Sequence, residues 1–196
     1  MTSESDPDLI EKSICRSVDA IQGIDAKRLL KIAGIVTDCF SRGGTLLLCG
    51  NGGSASQAQH LAAELVCRFK RDRAPLRAIA LTTDTSILTA QANDIGFDTV
   101  FERQVEALGR KGDVLIALST SGNSPNIVKA LLMGKRKSIQ TVAFTGRNRQ
   151  CKVAKTADEV LFIESDDTPR IQEAHIVAGH IVCDLVETKM MEKLVT

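Results

Sequence analysis

Two separate stretches of this chain carry side chains spaced for chemistry. His60 and Glu64 stand four apart in a segment of helical periodicity, about 54–70, so the imidazole and the carboxylate share one face. That spacing suits one metal ion held by both groups, or Glu64 acting as a base steered by His60; a surface hydrogen bond is the plainer reading. Near the far end, Gln172 and His180 are eight apart, about 80° around a helix, so both lean toward one point. His175 sits between them less comfortably and reads as structural. Cys67 and Cys183 lie one turn from Glu64 and His180, and read as small core residues rather than thiolate ligands.

Two turns of matching design lie between these stretches. Leu46-Leu47-Leu48-Cys49 runs into Gly50-Asn51-Gly52-Gly53-Ser54-Ala55-Ser56, and Val114-Leu115-Ile116-Ala117-Leu118 runs into Ser119-Thr120-Ser121-Gly122-Asn123-Ser124. Strand, tight turn and helix N-terminus together present unpaired N–H groups to an anion. The second turn adds the hydroxyls of Ser119, Thr120, Ser121 and Ser124 and no cation, which suits a sugar phosphate better than a nucleotide triphosphate with its metal. Neither turn ends in the Gly-Lys-Ser/Thr of a Walker loop. The first approximates a dinucleotide fingerprint, but the acidic partner expected about 20 positions on, at the next strand's end, is misplaced: Asp84 comes too late. No nucleotide cofactor is expected. A third loop offers Asn93 and Asp94 for hydroxyl binding, or as an Asx turn that breaks a helix.

The elements that must position these groups follow from periodicity. Ile10, Ile14, Val18 and Ile21, then Leu29, Ala33, Val36 and Phe40, mark two N-terminal helices within 1–43, with apolar faces fit to cover a sheet or another subunit. From 44 to 192 the pattern alternates: strand 45–49, helix 54–70, strand 77–81 and helical segments 85–108. Strand 113–118, helix 124–136, strand 139–144, a short helix near 148–155, strand 158–163 and a long helix 169–192 complete it. Nearly continuous apolar strands alternating with helices predict a three-layer α/β/α sandwich on a five-stranded parallel sheet, as one domain over 1–196. Such sheets bind ligands beyond the strands' carboxyl ends, where both Gly/Ser turns fall.

The totals narrow the class. In 196 residues, 43% hydrophobic and 25% charged, a net charge of +1 gives no global argument for a nucleic acid or membrane partner. The basic run 68–73 reads as a solvated helix end. No apolar stretch approaches the ~20 residues of a membrane span. The polar, acidic 1–6 does not resemble a signal peptide, and six scattered cysteines without a CxxC read as reduced and buried. A cytoplasmic enzyme is expected.

Five ordered motifs then fix a resemblance: 49–56, Gln59-His-Leu-Ala-Ala-Glu-Leu65, Ala92-Asn-Asp94, Leu118–Pro125 and Arg170-Ile-Gln-Glu-Ala-His175. Over roughly 20–190 the chain resembles the phosphoheptose isomerases of the sugar isomerase (SIS) family. The resemblance implies a flavodoxin-like SIS fold and a cytoplasmic homotetramer. It implies conversion of sedoheptulose 7-phosphate to D-glycero-D-manno-heptose 7-phosphate, opening the ADP-heptose route to lipopolysaccharide core. It also implies zinc on His60, Glu64, Gln172 and His180, with Glu64 as base and His180 as acid. Substrate contacts carry over to Asn51, Gly52, Gly53, Glu64, Asn93, Asp94, Ser119, Thr120, Ser121, Ser124 and Gln172. Cys67, where glycine is expected, and Pro169 depart from the pattern. The alternatives are a non-catalytic SIS scaffold binding the replication initiator, which lacks the carboxylate and second histidine, and an isomerase for another sugar phosphate.

Overall fold

The computed structural model describes residues 5–195, with side chains to 192, so the first four residues of the acidic 1–6 run lie outside it. The order is α1 (Asp6–Gln22), α2 (Ala26–Ser41), β1 (Leu46–Gly50), α3 (Gly53–Val66), β2 (Ala78–Ala80) and α4 (Thr85–Asp94). It continues with α5 (Val100–Leu108), β3 (Val114–Ser119), α6 (Pro125–Arg136), β4 (Gln140–Thr145), α7 (Lys152–Thr156), β5 (Glu159–Phe162) and α8 (Thr168–Val195). The five strands form one sheet in the order β2-β1-β3-β4-β5, and every pairing is parallel. The expected three-layer sandwich is what the chain adopts.

Alternation along the strands divides the core in two. Leu46, Leu48, Ile116, Leu118 and Phe144 face a cluster filled by α2, α3 and α8. Leu47, Cys49, Leu115, Ala117 and Ala143 face one filled by α5, α6 and α7. β1 leads to β2 on one side and its other neighbour is β3, so the sheet's switch point lies between the β1 and β3 turns. α2 buries Leu29, Ile32, Ala33, Val36 and Phe40, and its Arg28 and Lys31 both pair with the buried Glu159 of β5. α1 buries only Ala20 and leaves Leu9, Ile10, Ile14 and Val18 open.

Three sequence expectations need correction. α3 stops at Val66 rather than near 70, because the segment beyond it is captured by α8: the Phe69, Lys70 and Arg71 N–H groups donate to the Glu187 carboxylate at 3.0–3.1 Å. For the same reason the basic run is solvated only in part: Arg68, Lys70 and Arg71 are exposed, and Arg73 is not. Lys70 and Arg71 pair with Asp184, and Arg73 is buried against Glu187. All six cysteines are free thiols, but Cys15 and Cys67 are exposed rather than buried.

Candidate active site

The second Gly/Ser turn closes at Gly122, whose φ of +67° falls in the region that favours glycine. A Cβ there would stand 2.4 Å from the Cys151 sulfur. Behind it, Ser119 is buried with its Oγ 3.5 Å from that of Ser124, while Ser121 is exposed. Ser124 caps α6 and Gly52 caps α3, neither through a side-chain cap bond, although Ile127 N donates to Asn126 Oδ1 at 3.0 Å in the first turn of α6. In the first turns the Ser54, Ala55 and Ser56 N–H groups already donate to the Asn51 and Gly52 carbonyls, and those of Ile127 and Val128 to the Ser124 carbonyl, so the Gly53 and Asn126 N–H groups are the ones left for a ligand.

The two turns are tied across the switch point. Asn51 Nδ2 donates to Asn126 Oδ1 at 3.0 Å, and Asn126 Nδ2 returns the bond to Asn51 Oδ1 at 2.8 Å. Asn126 had no signal in the sequence beyond following Pro125. Its role becomes visible only once the sheet brings β1 and β3 side by side.

α3 and α8 run alongside one another in the same direction: Gly53 meets Gln172, Leu61 meets Gly179, and the segment after α3 meets Glu187. The Gln172 amide lies so close to Gly53 that a Cβ would come within 2.7 Å of it, and Gln57 Nε2 donates to the Gln172 carbonyl at 2.7 Å. Two turns further along α8, a Cβ at Gly179 would meet Leu61 Cδ2 at 2.6 Å. This close approach sets His60 Nε2 2.8 Å from His180 Nε2 and 3.2 Å from Glu64 Oε1. Donor atoms of His60, Glu64 and His180 lie within 4.8 Å of one another. Nitrogen and carboxylate donors at that separation fit a single zinc ion, with Gln172 on the same helix as His180.

The His180 imidazole is held below its ordinary value, first by burial and then by the neighbouring His60 and Lys70, with Glu64 pulling the other way. The Phe69 ring, not singled out in the sequence, packs 5.5 Å from that imidazole. His175 is fully buried, edge-on to Phe144. Burial pushes the Cys183 thiol up to about 12, which does not favour a thiolate ligand there.

Two expected contacts stand elsewhere. Asn93 Nδ2 donates to Asp94 Oδ1 at 2.9 Å at the end of α4, and Asp94 lines a separate cleft with Glu102 and Arg103. Asp84 caps α4 through Ile87 N.

The SIS-domain profile matches residues 11–146, a span that ends before α8 and therefore before His180. A phosphoheptose isomerase of Aquifex aeolicus is 54% identical over 168 residues, 86% of this chain and 87% of that protein. A solved phosphoheptose isomerase of Neisseria gonorrhoeae superposes with a TM-score of 0.87 at 39% identity, covering 94% of this chain and all of that one. That of Francisella tularensis gives 0.86 at 33% identity, covering 93% and 96%.

Proposed function

The chain belongs to the SIS-domain family, and on that premise we propose that it is an aldose–ketose isomerase converting sedoheptulose 7-phosphate into D-glycero-D-manno-heptose 7-phosphate. The observation that carries the reading is the meeting of Glu64, His60 and His180 on two neighbouring helices of a chain so close to phosphoheptose isomerases. A non-catalytic scaffold is not favoured, because the carboxylate and the second histidine are both present and adjacent. The product enters the ADP-heptose route to lipopolysaccharide core in the cytoplasm.

Isomerisation moves one proton from C1 to C2 and another between their oxygens. Glu64, oriented by the His60 nitrogen at 3.2 Å, takes the C1 proton and returns it to C2. His180 donates to the C2 oxygen as charge develops there and recovers a proton from the C1 hydroxyl. His60, Glu64, Gln172 and His180 would hold zinc, which when bound polarises the carbonyl oxygen as a Lewis acid. Ser119, Thr120, Ser121 and Ser124 grip the phosphate, with Asn51, Gly52, Gly53 and Gln172 as further substrate contacts. The distant grip orients C1 and C2 over the carboxylate. The exposed apolar stripe of α1 supports assembly into a homotetramer.

The test is conversion of sedoheptulose 7-phosphate followed by NMR, with metal content measured before and after chelation. We expect aldose to accumulate, and chelation to remove zinc and activity together. Glu64→Gln should abolish turnover while sugar-phosphate binding stays within about threefold, since the phosphate turn is untouched. No conversion by the wild-type protein would end the reading.

A further inference from the structure

The carriers of the proposed acid and base are joined by more than the site itself. α3 ends two residues after Glu64, and its last carbonyls need partners. Arg73 supplies them: Nη2 donates to the Glu64 carbonyl at 2.9 Å and Nη1 to the Leu65 carbonyl at 2.8 Å. The same guanidinium donates through Nε to Glu187 at 3.1 Å, and Glu187 lies on α8, two turns beyond His180. The Arg73 and Glu187 side chains are 3% and 0% exposed. Glu187 also accepts three consecutive N–H groups, from Phe69, Lys70 and Arg71, which seats the Phe69 ring beside the His180 imidazole.

We propose that Arg73 and Glu187 form a positioning clamp that fixes the Glu64 backbone to the helix bearing His180 and thereby sets the distance between base and acid. A planar guanidinium is suited to the task, because its fork bonds the helix end and the carboxylate at once; a lysine ammonium has no such fixed geometry. Arg73 meets Glu64 through its backbone carbonyl and not its carboxylate, so the clamp acts on the position of that side chain. Burial would raise the Glu187 carboxyl, but the three N–H groups and the Arg73 cation hold it below the ordinary range, so the clamp carries its charge. Asp184, beside it, pairs with the exposed Lys70 and Arg71 side chains and makes no ion pair with Arg73 among the described residues, so it offers a control that keeps the Arg73–Glu187 pair, with Arg71 also 3.6 Å from Glu187.

The catalytic part of this inference rests on the isomerase reading, so its test has two readouts. Arg73→Lys and Glu187→Gln are assayed well below their melting temperatures, for isomerisation and for binding of Zn2+ alone. Each should lower kcat by about tenfold or more with KM within about threefold, because the phosphate turn is unaltered while the reacting groups shift. Zn2+ affinity should fall by about tenfold or more, as for lost ligand support. The double variant should fall no further than the more severe single one, and Asp184→Asn should match wild type. Wild-type kcat and Zn2+ affinity in both clamp variants, whatever their melting temperatures, would overturn the proposal. So would a rise in KM alone. If the wild-type protein isomerises nothing, the isomerase reading fails and Zn2+ binding decides the clamp.

Discussion

Two imidazole nitrogens 2.8 Å apart share one proton between them, since the pair holds only if one donates and the other accepts. The second proton is resisted by the charge of the first, and burial adds to that resistance at His180. A side chain that cannot cycle a proton should stop turnover, so His180→Gln is expected to lose activity by about a hundredfold or more; normal isomerisation by that variant would end the acid assignment. His175 makes a different prediction. Its ring nitrogens have no hydrogen bond of good geometry, only the Thr145 backbone favours the charged form, and burial pushes the group down to about 4. Its folded value therefore lies below the ~6.5 of an unfolded histidine, so the unfolded chain takes the proton first as pH falls. Stability from this group is whole above pH ~6.5 and declines toward pH ~4, by roughly 3 kcal/mol. Urea unfolding across that window should show a shallower decline in His175→Met than in the wild type; identical slopes would remove His175 as the cause. The candidate site residues were legible through the resemblance that five ordered motifs carry, since the His60 and Glu64 spacing alone reads more plainly as a surface hydrogen bond. Asn126, Arg73 and Glu187 were not, because each acts on a residue distant in sequence.

Among the elements, the pairing of α3 with α8 is governed by one missing methyl group. Gly179 lets Leu61 close on α8, and an alanine there would gain about 1 kcal/mol of helix propensity. It would also place a Cβ 2.6–2.7 Å from the Leu61 methyls and 3.2 Å from its Cγ, so the helices must part or Leu61 must turn. We expect Gly179→Ala to change stability by about 1 kcal/mol or less while activity falls several-fold, and Leu61→Ala in the same chain to restore activity. A fully active single variant would show that Leu61 simply rotates away. The helix–strand alternation was readable because each strand is an apolar run bounded by small polar residues. The end of α3 was not: its terminator is a carboxylate more than a hundred residues downstream. Residues 85–108 likewise read as helical segments, and the break falls at a 3-10 turn, Phe97–Thr99, entered through Gly96 at φ +133°.

For the whole molecule, periodicity reveals an apolar face without revealing what covers it. α2 spends its face on the sheet, while Leu9, Ile10, Ile14 and Val18 of α1 stay open on the protomer. Replacing Ile10 and Ile14 by glutamate should leave the protomer folded, since neither is buried in it, and should yield smaller particles by sedimentation. An unchanged assembly would place the subunit contact elsewhere. The bond between Asn51 and Asn126 has a consequence over a longer time. Asn51 precedes Gly52, the sequence most prone to deamidation, in which the glycine nitrogen attacks the asparagine side chain and expels ammonia. In the folded protein both ends of that amide are held by Asn126, which stops it from rotating into the attacking position. The native enzyme should therefore age slowly at this turn and the denatured chain quickly, a contrast visible by mass spectrometry of the peptide containing Asn51.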